Sequence, residues 1–112
     1  MFLLDTNAVS ESRKLATINV DPVFKNWIDE IDPNLLYVSV ISLMELEVGI
    51  LRISRRDTRQ GIVLREWFDM EIKPNYEGRV LDITPDIAYT CARLNVPDPR
   101  PYQDAWIAAT AL

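Results

Sequence analysis

The run Phe2-Leu3-Leu4, leading directly into Asp5-Thr6-Asn7, restricts the fold more than any other feature of the chain. Three bulky apolar residues with no polar residue between them cannot turn one face to water. The run therefore reads as a short strand buried on both faces, the habit of parallel sheets covered by helices. Asp5 ends it. In open parallel sheets ligands bind in the crevice outside the carboxyl ends of the strands, so an acid at that position sits where chemistry is usually done. The same acid also suits the plainer task of ending a strand and capping the next helix, and the run alone leaves both readings open.

The remainder of the chain alternates strand and helix signals. Residues 7–14 fit a short helix, with Asn7 as its cap and Arg13 and Lys14 near its end. Residues 15–20 read as a loop. Asp21-Pro22 is an acidic cap followed by proline at the first helical position, and Phe24, Trp27, Ile28 and Ile31 then form one apolar stripe until Asp32-Pro33-Asn34 stops the helix. Residues 35–40 are apolar and β-branched and read as the second strand.

A helix over about 42–54 follows, with Leu43, Leu46, Ile50 and Ile53 on one face. Gly49 inside it costs roughly 1 kcal/mol relative to alanine and is expected to mark a close packing contact. A further helix over 57–72 buries Trp67 and Phe68 before Lys73-Pro74-Asn75 breaks it. Residues 79–83 are the third strand. Thr84-Pro85 opens a helix through Ala88, Cys91, Ala92 and Leu94, Pro97 to Pro101 is a stiff connector, and the alanine-rich stretch 102–112 is a last helix. Strands alternating with helices in one 112-residue chain give a single α/β domain, residues 1–112, with a parallel sheet.

Composition removes several kinds of chemistry. There is no histidine, which excludes Ser-His-Asp and Cys-His nucleophilic sites and the usual zinc sites. The single cysteine, Cys91, falls in a helical pattern and reads as a small core residue. No apolar run is long enough to span a bilayer and the first residues lack the layout of a signal peptide, so the expected location is the cytoplasm. With 17 acidic and 12 basic side chains the net charge is −5, which opposes non-specific binding to duplex DNA. It leaves nucleic acid open as a substrate, because a bound divalent cation inverts the field of an acidic pocket.

Acid chemistry must then rest on carboxylates, and three of them are placed alike. Glu45 follows Ser42 by three residues near the start of the helix after the second strand, and Asp104 lies in the first turn of the last helix. Each has a structural explanation: Ser42 and Glu45 fit a capping box, and a carboxylate in a first helical turn gains ~0.3–1 kcal/mol from the helix dipole. Together with Asp5, however, all three face the same edge of a parallel sheet. Converging carboxylates repel and require a cation, and an all-oxygen set points to Mg²⁺ or Mn²⁺ and to phosphodiester hydrolysis.

Phe-Leu-Leu-Asp-Thr-Asn at 2–7, Ile-Ser-Leu-Met-Glu-Leu-Glu-Val-Gly-Ile at 41–50 and Asp-Ala-Trp-Ile-Ala-Ala-Thr-Ala-Leu at 104–112 resemble the signature segments of PIN-domain proteins, in the right order and across the whole chain. The likeness is to the VapC and FitB type, the toxin halves of type II toxin-antitoxin pairs. It implies a PIN-like three-layer α/β/α fold and a Mg²⁺- or Mn²⁺-dependent endoribonuclease, usually a homodimer and held inactive by an antitoxin. By that match Asp5, Glu45 and Asp104 are metal-binding acids, and Thr6 and Asn7 orient Asp5 or its bound water. Glu47 does not match the acidic position and points away from Glu45.

The resemblance departs at its far end. Family members continue past the last helix into a fourth strand, a turn with a further acid and a final strand, whereas nothing follows Leu112. The chain is therefore expected to lack the last strands of the family fold, to leave residues 2–4 at an exposed sheet edge, and to be weakly active or to borrow a strand from a partner.

Arg52, Arg55, Arg56 and Arg59 form the one dense basic stretch, readable as a solvated helix end or as contacts to RNA phosphates. Among rival functions, a haloacid-dehalogenase-like phosphatase needs a second acid where Asn7 stands, and a receiver domain needs adjacent acids and a strand-end lysine. A non-catalytic PIN remnant that binds only an antitoxin or a second chain fits better than either.

Overall fold

The computed structural model describes residues 2–14 and 19–96. The expected connector over 97–101 and last helix over 102–112, Asp104 included, lie outside the described residues, as does most of the expected loop over 15–20.

Three parallel strands form the sheet in the order β1 (Phe2–Leu4), β2 (Leu36–Ser39), β3 (Val80–Leu81). Leu4 pairs with Val38 and Val38 with Val80, so these three side chains share one face, along with Phe2 and Leu36. Onto that face pack α1 (Thr6–Ser12), through the fully buried Val9, and the long α3 (Val40–Arg56), through Leu46 and Ile50. Leu64 of α4 (Thr58–Trp67), with Phe68, Ile72 and Tyr76 beyond it, closes the core. The first strand is less covered than its sequence implies. Leu4 is 3% exposed, but Leu3 is only half-buried and Phe2 is 43% exposed. Among the described residues β1 has a neighbour on one side only, and Phe2 is sheltered by an edge-on contact with Trp27 at 5.6 Å.

The helix of Trp27, α2 (Pro22–Asp29), starts as its sequence requires, with Asp21 accepting from the Val23 N–H. It has no fully buried residue, and its aromatic side leans on β1. A single 3₁₀ turn (Pro33–Leu35) then leads into β2, taking Leu35 out of the expected strand.

The helix pair α3–α4 is where glycine matters, though at Gly61 rather than Gly49. A Cβ built on Gly61 would meet Ser54 Cα and Cβ at 2.8 Å, whereas one on Gly49 meets nothing within 4 Å. The helices cross at Gly61, and Gly49 faces open space in a cleft.

Beyond Trp67 the chain does not break at Pro74. It widens into a π-helical turn (Phe68–Ile72), in which Lys73 N–H donates to Phe68 O, and runs on as α5 (Lys73–Asn75). Proline cannot donate to a carbonyl four residues back and its ring crowds that carbonyl; the wider turn removes both conflicts. The helical bonding resumes with Tyr76 N–H to Ile72 O. Gly78, at φ +81°, turns the chain into β3, a conformation that disfavours any residue with a Cβ. Arg79 fixes this corner by donating to the carbonyls of Pro33, Leu36 and Asn75. Thr84 caps α6 (Pro85–Leu94), whose buried Cys91 packs with Ile87 and Leu94 in a small cluster of its own.

Candidate functional site

In a parallel sheet every strand delivers its chain to the same edge, and β1 and β2 are neighbours, so the residues following Leu4 and Ser39 must meet. Asp5 is the cap of α1, its Oδ1 accepting from Ala8 N–H at 2.7 Å; the expected cap, Asn7, lies one turn inside and is exposed. Asp5 begins the bend, so its own carboxylate reaches the free amides first. No partner for its second oxygen occurs among the described residues.

The start of α3 also differs from expectation. Its cap is Ser39, whose Oγ accepts from Ser42 N–H at 3.1 Å, three residues before the expected one. Ser42 occupies the position where a capping box would put glutamate, and Glu45 is one turn too far along to reach back to the cap. Glu45 instead accepts a hydrogen bond from Thr6 Oγ1 at 2.9 Å. The capping-box explanation for Glu45 therefore fails, and this acid is tied to the residue next to Asp5.

Two serines that the sequence reading did not place in the site complete it. Ser39 and Ser42 are both 0% exposed. The Ser42 hydroxyl lies 3.1 Å from that of Thr6 and 3.5 Å from that of Ser39. The available signal was the spacing Ser39-x-x-Ser42-x-x-Glu45, three polar residues stacked at helical intervals directly after an apolar strand. Thr6, expected to orient Asp5 or its water, donates to Glu45.

Among the described residues no group of three or more acids or cysteines is close enough to hold a metal ion, and Asp104 is not among those residues. Two carboxylates remain, Asp5 exposed and Glu45 half-buried, each with one oxygen committed to the protein. Beside them a cleft of ≈ 320 Å³ opens between α1 and the α3–α4 pair, lined by Thr6, Arg13, Glu45 and Gly49 over a floor that includes Ile50 and Leu64. Glu47 points elsewhere, as its position on the helix requires. It forms a two-pronged ion pair with Arg65 of α4, which holds its carboxyl below the usual carboxylate range. Arg52, Arg55, Arg56 and Arg59 are exposed, and none pairs with an acid among the described residues.

Comparison with known proteins places this arrangement. The PIN domain family model matches residues 2–112. The chain belongs to the PIN-domain family. It is 34% identical over 71 residues to Ribonuclease VapC14 of Mycobacterium tuberculosis (strain CDC 1551 / Oshkosh), a match covering 63% of this chain and 66%, just under two thirds, of that relative. In structure it is similar to FitAcB from Neisseria gonorrhoeae, with TM-score 0.83, 28% identity, and coverage of 99% of this chain and 80% of the other. It is also similar to FitAB bound to an IR36 DNA fragment, with TM-score 0.81, 27% identity, and coverage of 99% and 78%. The parallel α/β fold expected from the sequence is thus that of the PIN family.

Proposed function

We propose that this PIN domain is the ribonuclease half of a toxin-antitoxin pair and hydrolyses RNA phosphodiester bonds with Mg²⁺ or Mn²⁺ held by Asp5, Glu45 and Asp104. The observation that carries the reading is the Thr6–Glu45 hydrogen bond, which joins the end of β1 to the second turn of α3 and sets two acids at one sheet edge. The name of VapC14 and the paired FitAB assemblies support the activity and an antitoxin partner.

The donor set fits such a cation. Asp5 Oδ1 and Glu45 Oε1 each accept one hydrogen bond, from Ala8 N–H and Thr6 Oγ1, which orients both carboxylates and leaves them acceptor sites for a cation. Carboxylate ligands with room left for water suit Mg²⁺ or Mn²⁺, whereas Ca²⁺ favours more ligands and two-oxygen binding. When bound, the cation supplies Lewis-acid stabilisation of charge on the phosphoryl group. Asp5 and Glu45 position it, Thr6 fixes the Glu45 carboxylate, and Arg52 and Arg56 hold RNA phosphates on the continuation of the Glu45 face. The molecule acts in the cytoplasm as a homodimer. The outward stripe Met44, Val48 and Leu51 of α3, all large apolar side chains left exposed, supports a protein-covered surface there.

Calorimetry with Mn²⁺ and cleavage of a fluorogenic RNA test the proposal together. The intact chain binds Mn²⁺ and cleaves; Asp5→Asn, Glu45→Gln and Asp104→Asn each lose both. A chain with no Mn²⁺ binding and no Asp5-dependent cleavage is a binding module, and the proposal is wrong.

A further inference from the structure

We propose that Ser42 is a positioning residue for the acidic site, acting on Glu45 through Thr6, an inference that rests on the metal-site reading above. A threonine hydroxyl has one hydrogen, and Thr6 Oγ1 lies within hydrogen-bond distance of two oxygens, Glu45 Oε1 at 2.9 Å and Ser42 Oγ at 3.1 Å. A carboxylate oxygen has no proton to give, so the Thr6 hydrogen goes to Glu45. The Ser42 contact is then satisfied only if Ser42 donates to Thr6. Among the described residues the other neighbour of the Ser42 hydroxyl is the Ser39 hydroxyl at 3.5 Å, a longer contact than the 3.1 Å to Thr6.

The chain of hydroxyls has one direction, Ser39 to Ser42 to Thr6 to Glu45. It is sealed from water at its origin, since both serines are 0% exposed, and it ends at a half-buried carboxylate. A buried hydroxyl with a fixed role is worth its desolvation only when it is paired. Here the pairing holds Glu45 through Oε1 and fixes the orientation in which its carboxylate is presented to a cation. Outer partners of this kind orient a metal ligand and raise its affinity.

The test uses the full chain, Mn²⁺ alone as probe, calorimetry and Mn²⁺ electron paramagnetic resonance. Ser42→Ala weakens Mn²⁺ binding by about tenfold, within the range for outer-shell partners, and alters the resonance line shape. It lowers kcat for RNA while leaving KM unchanged. Thr6→Val does the same, Thr6→Ser restores wild-type binding, and Ser42→Ala combined with Thr6→Val is no worse than Thr6→Val alone, because Ser42 acts only through Thr6. Should Ser42→Ala fail to fold, Ser42→Cys, close in size but a weaker donor, carries the same expectation. Wild-type affinity in a folded Ser42 variant, or losses that add in the double variant, overturns the inference even where Asp5→Asn abolishes binding. A wild-type chain indifferent to Mn²⁺ removes the metal reading and the inference with it.

Discussion

Asp5 has two tasks that can be separated by substitution. Its Oδ1 caps α1 through Ala8 N–H, and its carboxylate is proposed to hold the cation. Asparagine caps a helix about as well as aspartate, whereas alanine at such a position costs about 0.5–2 kcal/mol. Asp5→Asn is therefore expected to melt close to the wild-type temperature without metal, while Asp5→Ala melts lower; neither binds Mn²⁺. Thermal denaturation with and without metal checks this, and equal melting of the two variants would show that the cap contributes nothing. At this scale the sequence was partly legible. An acid ending an unbroken apolar run, and a second one turn into the next β–α unit, are local signals. The choice of Ser39 over Ser42 as the cap was not, because both serines precede helix-forming residues and a misplacement by one turn makes Glu45 look like part of a capping box.

Between elements, the two glycines of the α3–α4 pair make opposite predictions. A methyl on Gly61 drives into Ser54, whose backbone lies 2.8 Å away, so Gly61→Ala is expected to cost about 1–3 kcal/mol through forced separation of the helices. Gly49→Ala meets nothing and is expected to stabilise by about 1 kcal/mol through helix propensity. Denaturant unfolding of the two variants checks both signs. Propensity alone treats the glycines alike; only the crossing point of the helices, set by Ser54, distinguishes them. The arginines divide in the same way. Glu45, Gly49, Arg52 and Arg56 recur at i, i+4, i+7 and i+11, one stripe of α3 running about 16 Å from the acid to the helix end. Arg52→Ala and Arg56→Ala should therefore weaken RNA binding more than Arg55→Ala or Arg59→Ala, each of the first pair lowering the salt slope by about 0.7. Fluorescence polarisation across a salt series measures this, and equal effects at all four positions would remove the stripe.

For the whole molecule, the order of parallel strands is what makes distant residues into one site: Thr6 and Glu45 are 39 residues apart and 2.9 Å from contact to contact. Alternating β and α signals carried that topology, since parallel neighbours joined by helices leave few alternatives. The passage through Pro74 was not legible, because it depends on neighbours that a local pattern does not reveal; the exposure of Phe2 departs from the burial read from the apolar run but accords with the exposed edge that the family resemblance implied. Two linked equilibria follow. Arg65 lowers the Glu47 carboxyl pKa in the folded chain, so the unfolded chain takes up the proton first; this contribution is full above the unfolded value of 4.5 and is lost as pH falls through the lower folded value. Glu47→Gln should flatten the acid limb of the stability curve without altering Mn²⁺ binding. The cation acts in the opposite sense to the repulsion it relieves. Carboxylates gathered at one sheet edge repel when no cation lies between them, and a ligand bound only by the folded state adds about 2.7 kcal/mol at a concentration of 100 Kd. Mn²⁺ should thus raise the melting temperature in proportion to the logarithm of its concentration in the wild type and in Glu47→Gln, and leave Asp5→Asn and Glu45→Gln unmoved. A metal-induced rise that survives in Asp5→Asn would place the cation elsewhere on this acidic surface and separate metal binding from the sheet edge at which Asp5 and Glu45 meet.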